Sequence, residues 1–160
     1  MCTTSYYNNK SKWFIYSASI ILLATGLAKI ISGFGSSKIL ILPDPVFGMS
    51  FRSLMLISGL GEIIISILCY SRIKSSLKLI ILAWVATSFL IYRVGMIEAG
   101  WRKPCICLGN LTQEIHISTK AADELMEFVL AYLIIGSYVG IFYIFKTSQA
   151  TKKLTLVIQK

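Results

Sequence analysis

Four runs of almost uninterrupted apolar residues, at roughly 13–31, 51–70, 77–97 and 128–145, constrain this chain more than any other feature. About 20 apolar residues rising about 1.5 Å each match the ~30 Å hydrocarbon core of a bilayer, where an isolated segment satisfies its backbone only as a helix. The runs therefore predict an all-α membrane protein, a bundle of four transmembrane helices formed by one integral membrane domain over residues 1–160. Composition agrees, with 56% hydrophobic and 14% charged residues, where a soluble domain carries about a quarter charged. A cleavable signal peptide is the competing reading of the first run, because Lys10 and Lys12 precede it and Ala24, Gly26 and Ala28 are small. The length of the run and the three that follow favour a span.

The net charge of +9 does not mark a nucleic-acid-binding face. Such a face needs Lys and Arg clustered on a soluble surface, and here they lie between and beyond the apolar runs. Lys10, Lys12, Arg72, Lys74, Lys78, Lys146, Lys152, Lys153 and Lys160 all fall on one side of a four-span topology, with no acidic residue among them. Because cytoplasmic segments collect Lys and Arg, that side, with both termini, is expected in the cytoplasm of a cell whose bacterial inner membrane the chain crosses.

The two other connectors then face outward. The first, 32–50, is broken by Gly33, Gly35, Pro43, Pro45 and Gly48, and its Ile39-Leu40-Ile41-Leu42 segment is too short to span. It is expected against the bundle or in the interface. Gly59 and Gly61 suit close helix packing in lipid, and the short basic turn 71–76 predicts that helices two and three are antiparallel neighbours. The fourth helix is expected to start early, at Thr119, with Ser118 as its cap and Asp123 and Glu124 near its positive end.

Reactive chemistry concentrates in the second outer connector, in the Trp-Arg-Lys-Pro-Cys-Ile-Cys-Leu-Gly stretch at 101–109. Cys105 and Cys107 are one residue apart, and an extended i, i+2 pair lies near the upper limit of Cα separation that a disulfide tolerates. A bridge there would be strained and easily reduced, which suits exchange. Pro104 pushes Lys103 toward an extended conformation, Gly109 allows a turn, and Arg102 and Lys103 favour thiolate over thiol. Unpaired loop cysteines and a thiolate clip for a soft ion such as Cu(I) are the alternatives. A structural zinc site is not expected, since its four recurrently spaced ligands are missing and His116 reads as a surface histidine. Cys69 reads as a packing residue and Cys2 as cytoplasmic and reduced.

Three ionisable residues interrupt the apolar runs: Lys29, Glu62 and Arg93. Charge inside a bilayer is costly, so each is expected to face the bundle interior or a partner. Lys29 and Arg93 lie nearer the outer ends and have snorkelling as their plain alternative. Glu62, near mid-depth, needs Lys29 or Arg93 as a neutraliser. Such a cluster beneath the Cys pair would suit a small polar headgroup such as a quinone.

The segments Thr-Gly-Leu-Ala-Lys-Ile-Ile-Ser-Gly at 25–33, Phe-Arg-Ser-Leu-Met-Leu-Ile-Ser-Gly-Leu-Gly-Glu at 51–62 and Pro-Cys-Ile-Cys-Leu-Gly at 104–109, with the four spans, resemble the MauE and DoxX-like redox-associated membrane proteins. The resemblance implies a role for Cys105 and Cys107, and more weakly for Lys29, Glu62 and Arg93. The implied function is support of disulfide formation or maturation of periplasmic proteins, as in methylamine utilisation, beside a thioredoxin-like partner. The bundle is also similar to the core of vitamin K epoxide reductase-type enzymes, from whose Cys-x-x-Cys it departs by one residue. A thiol-disulfide oxidoreductase is the expectation. A non-enzymatic membrane assembly factor with structural cysteines stands against it.

Overall fold

The computed structural model describes residues 2–35, 38–101 and 119–158. They form helix α1 (Cys2–Gly33), a short 3-10 turn (Lys38–Ile41), α2 (Phe51–Tyr70), α3 (Ser75–Glu98) and α4 (Thr119–Ile158). Four segments are long and apolar enough to cross a membrane, Lys12–Gly33, Phe51–Tyr70, Ser75–Glu98 and Asp123–Lys146. These match the four apolar runs to within a few residues, and among the described residues there is no β-strand. The chain is an all-α, four-helix, multi-pass membrane architecture. Only 17–33% of each apolar span is buried inside the chain, which leaves most of that surface to lipid tails.

The helices outrun their apolar segments at two places. The polar residues before Lys12 continue α1 as helix, and the residues after Lys146 continue α4. α4 begins at Thr119 as expected, while Ser118 lies outside the described residues.

The packing follows small side chains rather than loop length. α1 pairs with α2, and α3 with α4, as two antiparallel hairpins; the neighbouring α2 and α3, expected to pack closely because their turn is short, touch far less. The reason lies in α2, whose small residues face α1. A Cβ added to Gly26 would lie 2.9 Å from the Gly59 carbonyl oxygen, and one added to Gly59 would lie 2.9 Å from the Gly26 carbonyl oxygen. One heptad further along, Ser19 Oγ donates to the Ser66 carbonyl at 3.0 Å and Ser66 Oγ to the Ser19 carbonyl at 2.9 Å. Close backbone approach and hydroxyl bonds across the seam are how helices associate where lipid removes the hydrophobic drive.

The second hairpin uses the same device less symmetrically. Gly140 of α4 receives Leu79 of α3, Gly136 receives the Phe14 ring of α1, and Tyr138 of α4 shares a hydrogen bond of 3.0 Å with Thr87 of α3. Ile15, Ala18, Leu22, Cys69, Leu79, Leu82, Val85, Ala86 and Leu133 form the apolar core, so Cys69 is a packing residue as expected. This core fills the half of the bundle nearer the α2–α3 turn, called here the basic end. The charged residues of the spans occupy the other half, nearer the loop end where α1 and α3 finish.

A leucine at Gly26 or Gly59 must push the two backbones apart, so we expect Gly26→Leu to lower stability by about 1–3 kcal/mol. Gly61, with no atom within 4 Å of an added Cβ, should accept leucine without loss. Thermal unfolding of the purified variants in one detergent measures both.

Candidate functional site

Helix direction explains which charges meet. Side chains lean toward the N-terminus of their helix. In the antiparallel α1–α2 hairpin, Lys29 therefore leans into the bundle and Glu62 leans toward the loop end. They converge, and Lys29 Nζ bonds Glu62 Oε1. Thr25, one turn before Lys29, donates to the second carboxylate oxygen, Oε2, at 2.7 Å. Phe89 of α3 covers the ammonium, its ring centroid 4.5 Å from Nζ, a cation–π contact that gains strength where water is excluded. Lys29 is 7% exposed and Glu62 2%.

Lys29 thus does not snorkel, and Glu62 finds its neutraliser in the nearer of the two expected partners. Arg93 departs from the expected three-residue cluster. It donates to Asp123 Oδ1 at 3.0 Å and to Glu127 Oε1 at 2.7 Å, both on α4. Asp123 and Glu127 are one turn apart and present two carboxylates on one face, which competes for the guanidinium more directly than a carboxylate already held by Lys29. The result is two separate ionic links: one buried within the first hairpin, one half-exposed within the second. A quinone carbonyl, which only accepts, would have to take its hydrogen bond from Lys29 or Thr25, both of which already serve the Glu62 carboxylate.

Sequence reading overlooked a third polar node. Asp44, 1% exposed, lies in the connector between α1 and α2. Its Oδ1 accepts from the backbone N–H of Val46 at 2.9 Å and of Phe47 at 2.7 Å, and its Oδ2 from the Tyr92 hydroxyl of α3 at 2.6 Å. Phe47 stacks on the Tyr92 ring at 5.8 Å. The signal was present in the Pro43-Asp44-Pro45 turn ahead of Gly48, where an Asp that closes a turn on its own backbone is favoured. Gly48 takes φ +70 there. Of the expected Ile39–Leu42 segment, Leu40 is buried and Ile41 exposed, so it lies against the bundle.

α3 ends in a Schellman cap: Gly100 at φ +76 donates to the Ile97 carbonyl at 3.0 Å, and Trp101 N–H to the Met96 carbonyl at 3.1 Å. Trp101 then packs on Phe51, the first residue of α2, with ring centroids 5.1 Å apart. The chain therefore leaves α3 in a fixed direction, four residues before Cys105. Arg102, Lys103, Pro104, Cys105, Cys107 and His116 lie outside the described residues. Among the described residues no group of three His, Cys, Asp or Glu side chains could hold a metal ion. Comparison of the chain with protein-family models, with curated proteins and with solved structures returned no match.

Removing one member of the buried pair leaves the other uncompensated, so Glu62→Gln should destabilise by about 3–5 kcal/mol, whereas Lys29→Met with Glu62→Met together should recover most of that loss. Unfolding midpoints and the amount of protein in the membrane fraction, compared between wild type, the single and the double, measure it.

Proposed function

We propose that this chain is a bacterial inner-membrane protein of the MauE/DoxX-like kind, supporting disulfide formation or maturation of periplasmic proteins by thiol-disulfide exchange with a thioredoxin-like partner. The observation that carries the reading is the fixed anchorage of the Cys segment's start. Trp101 is docked on Phe51, and the helices on either side of the segment, α3 and α4, are tied near their loop ends by Arg93. Trp101 precedes Cys105 by four residues, so the docked point lies close in sequence to the pair that a soluble partner would meet.

The exchange uses two steps. The Cys105 thiolate, favoured by Arg102 and Lys103, attacks one sulfur of a partner disulfide, forming a mixed disulfide and releasing the partner's other sulfur as a thiolate. The Cys107 thiolate then attacks the Cys105 sulfur, closing the Cys105–Cys107 bridge and releasing the partner as a dithiol. Run in reverse, the bridged pair passes its disulfide to the partner. The excess of Lys and Arg supports a cytoplasmic basic end, and with that orientation the connector carrying the pair belongs to the oxidising side.

A second reading, a non-enzymatic assembly factor, is favoured by the closed Lys29–Glu62–Thr25 arrangement, in which the polar groups of the bundle serve one another.

Trapping separates the two. In cells, Cys107→Ser should accumulate a reductant-sensitive covalent adduct with a periplasmic protein, and Cys105→Ser less of it, because the resolving thiol normally clears the mixed disulfide at once. If neither variant yields an adduct and the double variant supports full client maturation, the scaffold reading replaces exchange.

A further inference from the structure

The basic end carries a second kind of chemistry that neither the ion pairs nor the Cys segment uses. We propose that the α1–α2 edge at this end, formed by Lys12, Tyr16, Tyr70 and Arg72, holds the headgroup of an anionic phospholipid.

The rings of Tyr16 and Tyr70 lie 5.8 Å apart at an interplanar angle of 38°, bringing the start of the α1 span against the last residue of α2. Both are half-exposed, at 47% and 52%, and Trp13 beside them is 74% exposed. Exposed Trp and Tyr at the end of an apolar span mark the headgroup level of a bilayer. Lys12 is one helical turn from Tyr16 and so shares its face, while Arg72 follows Tyr70 by two residues. Both cations are exposed, as are Lys74 and Lys146 at the same end. Lys78 differs, for its ammonium caps α2 through the Cys69 carbonyl at 2.6 Å.

No carboxylate in the sequence competes for these cations. Residues 1–43, 63–97 and 128–160 contain no Asp or Glu, and the one acidic residue within the adjoining spans, Glu62, is held by Lys29 and Thr25. No acidic side chain of these segments supplies the counter-charge, which suits an external anion. At this end a guanidinium and an ammonium stand within a few residues of the paired tyrosines, a set of donors suited to a phosphodiester, with aromatic rings suited to the upper part of a lipid tail. Basic residues beside a span attract anionic lipids in this way. The tail requirement separates a lipid from a free phosphate.

Native mass spectrometry of the full chain, purified in a non-ionic detergent and supplied with defined lipids, tests this. Phosphatidylglycerol should be retained in preference to phosphatidylcholine, and glycerol phosphate at equal concentration should not displace it. At about fivefold per charge removed, Lys12→Gln with Arg72→Gln should reduce retention by at least about tenfold. The exchange Lys12→Arg with Arg72→Lys should restore it, and Lys38→Gln at the loop end should leave it unchanged. Equal retention of the two lipids, undiminished retention by the double Gln variant, displacement by glycerol phosphate, or an acidic protein bound in place of lipid would each overturn the proposal.

Discussion

A carboxylate placed at mid-depth in a membrane helix must be neutralised from within the protein, and the rest of this structure depends on how Glu62 achieves that. The side chain is too short to reach the interface, and an uncompensated charge in hydrocarbon is costly. Lys29 supplies the charge, Thr25 the second hydrogen bond and Phe89 the cover. Each of the three comes from a position that only a particular arrangement of helices provides. The pair fixes the register of α1 against α2, and the Phe89 contact seats the second hairpin against the first.

That register is the same one the small residues require. Ser19, Gly26 and Gly33 of α1 recur every seven residues, and they meet Ser66, Gly59 and Leu56 of α2. A slip of one helical turn would break the reciprocal serine bonds, bring side chains onto the glycine carbonyls and separate Lys29 from Glu62 together. Agreement between packing and charge pairing is what makes one arrangement preferable to its neighbours. At the loop end, Asp44 and Arg93 perform the corresponding task for the connectors. Asp44 ties the first connector to Tyr92, and Arg93 ties α3 to α4.

The spans were legible because hydrophobic length is a local property of sequence: all four appear where the apolar runs stand. Which helices pair was not legible from loop length. The turn 71–74 makes α2 and α3 consecutive, but the faces carrying Gly59 and Ser66 direct α2 toward α1, and a glycine's partner is a property of two helices at once. The Lys29–Glu62 pair could be anticipated from the scarcity of charge in the spans. Arg93 reads as part of that cluster because the early start of α4, although legible, does not tell which helix the face carrying Asp123 and Glu127 meets; that depends on the pairing of α3 with α4. Asp44 was overlooked for a related reason: a polar residue in a loop gives no sign of burial, although its flanking prolines give a sign of its turn.

The claim on which this account rests is that Glu62 is ionised inside the membrane, held by Lys29. Infrared spectroscopy of the protein in lipid bilayers at neutral pH, as a difference between wild type and Glu62→Gln, reads the protonation state of that one side chain. The account predicts that the substitution removes a band of an ionised carboxylate. Loss of a protonated carboxyl C=O band instead would show that Glu62 is neutral, and would contradict the ion pair as the centre of the fold.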